Sequence, residues 1–317
     1  MRLYLREARG HCSSFTLLGL KDTTAKYRLM LFALTLLCYT VIILVNVALI
    51  ATIILEEKLH KPMYIFLCNL CFNSLYGTAA FHPKFLFDLL SGTQVISYAS
   101  CLLQVYFIYS YATTDFSILA VMSYDRYLAI CRPLEYHSIM TKQRVILLVC
   151  FSRLVPMICQ AVAMIMTAKL TLCGFQIDKL YCDNWSILKL SCYSIMLNNI
   201  VGYIVILLYT GHALFVLCSY VQLVKFSLKY PQRRRKFLQT CAPHLICLIN
   251  VLVTLLFDVM YARYGSESMP QSLKNFMAIQ FLIIPPMLNP ILYGLNLTQV
   301  RNSCLRICKC KKQMGGS

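Results

Sequence analysis

Positions 29–55 run from one end to the other without a charged side chain, and this run constrains the fold more than any other feature. A helix rising 1.5 Å per residue crosses a hydrocarbon core of roughly 30 Å in about 20 apolar residues. Lipid offers no hydrogen bonds to the backbone, so only helices and closed barrels span it. Barrel strands are short and alternate in polarity, and this run does neither. Six further apolar stretches follow at 63–87, 99–124, 144–168, 195–224, 241–262 and 275–295. Overall 59% of residues are hydrophobic and 13% are charged, far from the ~25% charge of a soluble domain. The expected fold is therefore all-α: a bundle of seven transmembrane helices. A soluble domain and a disordered chain are both excluded, and no internal repeat suggests the duplicated halves of a transporter.

The first fifteen residues are broken by Arg6, Glu7 and Arg9, which leaves no apolar core for a cleaved signal peptide. The first span then serves as its own targeting signal. Lys and Arg favour an outside N-terminus and a cytoplasmic C-terminus, mainly through Lys225, Lys229 and the run Arg233-Arg234-Arg235-Lys236 beside spans five and six. This divides the chain into an extracellular tail (1–28), a receptor-like bundle (29–295) and a basic cytoplasmic tail (296–317). Between spans, such a run attracts anionic membrane lipid, so the net charge of +18 is no footprint for nucleic acid.

Cysteines sort by side. Cys68 and Cys71 read as C-x-x-C but sit in an apolar helix with no second pair, which favours packing over metal or redox chemistry. Cys101, Cys173, Cys182 and Cys192 face the oxidising side, and four cysteines allow three pairings. Cys304, Cys308 and Cys310 follow span seven in a position suited to acylation, or are plain cytosolic thiols. Asn184-Trp185-Ser186 is an outward glycosylation sequon.

Span three ends in Ser123-Tyr124-Asp125-Arg126-Tyr127, and span seven holds Asn289-Pro290-Ile291-Leu292-Tyr293. A D-R-Y at a helix end and an N-P-x-x-Y inside a helix are weak apart and strong together at these two positions. Cys101 and Arg126 are 25 residues apart, about 37 Å of helix, enough to pass from one membrane surface to the other. Val105, Ile108, Ala112, Asp115, Leu119, Met122 and Arg126 form one stripe along that helix.

Together these motifs resemble the rhodopsin-like G-protein-coupled receptors. The strings Pro62–Leu70, Met122–Tyr136 with Ile139-Met140-Thr141, Lys236–Leu245 and Pro285–Leu295 narrow the likeness to the odorant receptors. Leu75-Tyr76-Gly77-Thr78 and Pro83-Lys84-Phe85-Leu86 look most like their fish-type branch. The resemblance implies a plasma-membrane protein of olfactory sensory neurons that binds a small odorant between spans three, five, six and seven. It implies coupling to a stimulatory, olfactory-type heterotrimeric G protein. Arg126 would leave Asp125 on activation and be steadied by Tyr220 and Tyr293. The family pairs Cys101 with Cys182, which leaves Cys173 with Cys192.

The pocket is read from helical spacing alone: Ile108, Tyr109, Ala112 and Thr113 on span three, with Gly202, Ile206, Leu252, Leu256 and Gln280 opposite. The upper stripe offers no acid as counter-ion for an amine, so the expected ligand is neutral or weakly polar. Asp115 is an intramembrane acid, either part of a sodium or water network or a structural hydrogen-bond partner. Ser74 stands where related receptors carry a second acid, which counts against sodium; no other cofactor is expected.

Arg153 occupies a span-four position that the family usually gives to tryptophan. It pairs with Asp115, faces a polar cavity, or marks a defective allele. No enzyme motif is present: there is no H-E-x-x-H, Walker or nucleophile-elbow sequence. The competing readings are a receptor for an internal metabolite and, from another class, a transporter or channel.

Overall fold

The computed structural model describes residues 14–21, 23–229, 245–253 and 271–296, with single positions at Val300, Ser303 and Arg306. Its long helices are α1 (Ala25–Leu55), α2 (Pro62–Ser91), α3 (Tyr98–Cys131), α5 (Lys142–Ala168), α7 (Met196–Lys229) and α9 (Gln271–Asn296). Short helices α4 (Tyr136–Ile139) and α6 (Asn184–Lys189) lie in the connections, and 245–253 forms a further helical stretch, α8. The rest of the expected sixth span, with Pro243 and Asp258, and the basic run 233–236 lie outside the described residues.

Five of these helices (α1, α3, α5, α7 and α9) are long and apolar enough to cross a membrane. The helix α2 is equally long but interrupts its apolar residues with Asn69, Asn73, Ser74, Thr78, His82 and Asp88, all buried. Those polar groups face protein and not lipid: Asn69, Asn73 and Asp88 bond to other side chains there, and the His82 ring bonds to the Thr78 carbonyl. The helices overrun the apolar windows because a helix continues into the interface after the hydrocarbon ends. Thirty-four residues of α3 rise about 51 Å.

Helix α3 forms the axis of the bundle. It packs against α2, α5 and α7, and Ser110–Ser123 is buried without a break. Helix α1 packs against α2 and α9 at the other side. Gly77 lets α2 approach α3: a Cβ there would sit inside the ring of Tyr111. The ends are built locally. Ser97 and Thr141 cap α3 and α5 by accepting from the N–H of Ser100 (3.2 Å) and Arg144 (3.4 Å). Gly92 ends α2 in the left-handed region at φ 69°.

Part of the expected N-terminal tail is ordered. Strand β1 (Ser14–Leu17) lies between β2 (Val95–Ser97), antiparallel, and β3 (Gln176–Ile177), parallel. Phe15 and Leu17 turn inward and are buried with Cys101, Cys182 and Ile187. A segment just ahead of α1 thus becomes the central strand of a lid, between strands that lie far from it in the chain.

Candidate functional site

At the lower end of α3, Asp125 is fully buried and Arg126 nearly so. Arg126 Nε donates to Asp125 Oδ2 at 3.0 Å, and its Nη2 bonds to the same oxygen. The other oxygen, Oδ1, accepts from the Tyr136 hydroxyl at 2.7 Å. Both carboxylate oxygens are therefore engaged, one within α3 and one by the loop helix α4. Burial, and then the negative charge of Asp125, push the Tyr136 hydroxyl pKa upward, so it stays a donor. Tyr136 had no role in the sequence reading, although its place in the loop after Arg126 was visible.

Tyr220 on α7 and Tyr293 on α9 are buried in one cluster with Leu119, Met122, Val216, Leu248 and Val251. Tyr127 is half-buried beside the lock. Asn289 and Pro290 are buried in α9. A proline at 290 has no N–H for the carbonyl of residue 286, and that carbonyl accepts instead from Asn46 Nδ2 of α1 at 2.9 Å. The N-P-x-x-Y break is thus tied to the first helix.

Asp115 is buried and accepts from Asn73 Nδ2 at 2.6 Å; the same amide donates to the Tyr111 carbonyl at 2.9 Å. Arg153 does not join it. Its Nε donates to Asn69 Oδ1 and its Nη2 to the Asn69 carbonyl at 3.1 Å. Asn69 in turn donates to Ser152 Oγ at 3.3 Å. Arg153 makes no ion pair among the described residues. The helix α2 supplies two acceptors from one residue, and that is how the cation is accommodated.

The opposite end of the bundle holds two disulfides, Cys101–Cys182 and Cys173–Cys192, with Cα separations of 5.5 and 5.2 Å. The first ties the top of α3 to the lid, and the second closes the outer loop on itself. Asn184 begins α6 and accepts from Thr167 Oγ1 at 2.9 Å.

The residues read as a pocket are found in several settings among the described residues. Ile108 and Ala112, with Tyr109 at the edge, pack against Phe81, Leu180, Ala278 and Leu282. Thr113 bonds back to the Tyr109 carbonyl at 2.7 Å. Gly202 and Ile206 are half-buried on α7, and Leu252 packs in the lower cluster. Gln280 lines a cavity of about 780 Å³ between α1 and α9. Leu256, Cys304, Cys308 and Cys310 lie outside the described residues. Among the described residues no cluster of three or more His, Cys, Asp or Glu side chains is arranged to hold a metal ion.

A helical bundle of this kind, with an Asp-Arg lock at one end and a disulfide-tied lid at the other, defines a multi-pass membrane receptor and not an enzyme. The chain belongs to the olfactory receptor family, whose profile matches residues 35–311, and the fold is that family's seven-transmembrane bundle. It is 34% identical to olfactory receptor 1D2 of Pongo pygmaeus over 307 residues, covering 94% of this chain and 95% of that one. Olfactory receptor 5F1 of Homo sapiens is 32% identical over 311 residues, 95% and 96% of the two chains. Olfactory receptor 1500 of Rattus norvegicus is 33% identical over 302 residues, 94% and 96%. The chain is thus an odorant-sensing G-protein-coupled receptor.

Proposed function

We propose that this receptor binds a small, neutral odorant within the helix bundle and activates a stimulatory, olfactory-type G protein, raising cyclic AMP. It acts at the plasma membrane of olfactory sensory neurons with its N-terminus outside. The observation that carries the mechanism is the doubly engaged Asp125. A carboxylate engaged by two donors supports two states, because Arg126 can turn from Asp125 to another partner while Tyr136 still donates to the acid. Asn289, Pro290, Tyr220 and Tyr293 belong to the released state in this reading. A ligand moves the equilibrium only by its differential affinity for the two arrangements.

Asp115 and Asn73 serve as a polar network inside the bundle, with a sodium ion as the alternative occupant. Asn184 is the glycan acceptor, and Cys304, Cys308 and Cys310 are candidates for acylation.

The test is a cyclic AMP reporter in transfected cells challenged with neutral odorants. A response lost in Arg126→Ala, at equal surface level, supports the coupling mechanism. An Arg126→Ala receptor that signals normally overturns it.

A further inference from the structure

The cavity between α1 and α9 shares span seven and Gln280 with the expected odorant site, but its other wall is α1, which is not among the spans expected to hold the odorant. Its walls are two facing helix stripes. Tyr27, Leu31, Leu34 and Cys38 recur at helical spacing on α1, and Asn275, Ile279 and Ile283 do so on α9. Phe85 of α2 stands among the lining residues.

The outer end is roofed. Gly19, Leu20 and Leu180 cover it, Asn275 Nδ2 donates to the Gly19 carbonyl at 2.6 Å, and Gln271 Nε2 donates to the Asp178 carbonyl at 3.4 Å. The lateral rim is different in kind: Tyr27, Leu34 and Phe276 are 53%, 55% and 62% exposed. The roof is tied by hydrogen bonds, and the side that meets lipid is lined with exposed apolar groups.

Two polar side chains face this apolar space. The Thr35 hydroxyl and the Gln280 amide have no hydrogen-bond partner among the described residues. Thr35 is ten residues below the start of α1 and Gln280 nine below the start of α9, so both lie about 14 Å inward from the outer helix ends. A side-chain donor and acceptor at equal depth in an apolar cavity of this size are the marks of a small-molecule site.

We propose that this cavity is a second ligand site, entered from the bilayer, for a neutral molecule with an alkyl body and one carbonyl or hydroxyl oxygen. That oxygen bonds to Gln280 and Thr35, and the alkyl part lies against Leu31, Leu34, Ile279 and Ile283. The site is independent of the signalling mechanism, and its test reads occupancy without cyclic AMP.

Cys38, a free thiol in the cavity wall one turn below Thr35, supplies the reporter. The full-length receptor in lipid nanodiscs is treated with neutral methyl methanethiosulfonate. The thiolate attacks its sulfenyl sulfur, a mixed disulfide forms, and methanesulfinate leaves. The labelled Cys38 peptide is followed by mass spectrometry, with Cys38→Ser as the blank. Entry through lipid predicts that the neutral reagent labels Cys38 at least about tenfold faster than a trimethylammonium analogue. Octan-2-one or octan-1-ol should slow the neutral reaction, and octane should not.

Thr35→Val and Gln280→Leu should each raise the half-protecting ketone concentration by up to about tenfold, the worth of one such bond. Wild-type protein alone suffices to overturn the proposal: equal labelling by both reagents means a cavity open to water. Protection by octane equal to that by octanone means a mere greasy crevice. Ketone protection unchanged in both folded variants overturns the assigned polar contacts.

Discussion

Asp125 has two oxygens and three donor atoms aimed at them, and that arithmetic separates its two neighbours. The Arg126 bonds are charge-assisted, and such bonds contribute about 1.5–3 kcal/mol, whereas the Tyr136 bond engages the acid from another element. Asp125→Asn removes the ion pair and should raise agonist-free cyclic AMP about tenfold or more per surface receptor. Tyr136→Phe should raise it less. Unchanged basal activity in both variants, at matched surface level, would remove the lock from the mechanism.

Arg153 presents the opposite problem, a cation with only a neutral acceptor. Leaving a buried charge without its partner costs more than removing the pair. Asn69→Ala should therefore destabilise the purified receptor by about 1–3 kcal/mol. Arg153→Met in the same background should recover part of that loss. A double variant less stable than Asn69→Ala alone, by thermal unfolding in nanodiscs, would contradict this account. These contacts were not legible in the sequence: Arg153 stood out by its charge, but nothing in a single span names the residue on the next helix that meets it.

Elements differ in how much of them the sequence discloses. Long helices are legible because the bilayer imposes one period and one length on every span, and the observed α1, α3, α5, α7 and α9 follow from it. The lid was not. Its strands are Ser14–Leu17, Val95–Ser97 and Gln176–Ile177, too short to show alternation, and their partners are far apart in the chain. The pocket was illegible for another reason, since an apolar residue at helical spacing looks the same whether it meets a ligand or a neighbouring helix. Ile108 and Ala112, for example, pack against α2 and α9.

Between these cases lies the tie from α1 to α9. Pro290 announces a freed carbonyl at 286, and Asn46 is the one side-chain amide in the charge-free run 29–55, so the two halves were each visible without the match. Asn46→Leu should cost about 1–3 kcal/mol, because it strands that buried carbonyl. Pro290→Ala restores an N–H at the right position, so Asn46→Leu should cost less in that background. Additive effects in this double-mutant cycle would mean that the Asn46 bond does not serve the proline break.

For the whole molecule, two kinds of physics support the proposed direction across the bilayer. The disulfides Cys101–Cys182 and Cys173–Cys192 gather with β1, β2, β3 and Gly92 at one end. Such bonds form and persist in an oxidising compartment. Arg126 and Arg132 at the close of α3, Lys142 and Arg144 at the start of α5, and Lys58 and Lys61 between α1 and α2 lie at the other end. Basic residues in short connections stay in the cytoplasm.

At that end Arg306 also pairs with Glu56, whose carboxyl is held below its usual pKa chiefly by this hydrogen bond, so the last described residue stays beside the first inner connection. Neither argument uses the other's residues, and both support the proposed orientation, with β1 outside. An epitope fused before Met1 should therefore bind antibody on intact cells, and one fused after Ser317 only after permeabilisation. Cys101→Ser should weaken the outer end, since a bond closing 81 residues of chain is worth between about 3 and 5 kcal/mol. The N-terminal signal at the cell surface should then fall while total receptor persists. Equal surface signal from Cys101→Ser would show the lid standing without its bond, and a C-terminal epitope reached on intact cells would reverse the receptor in the membrane.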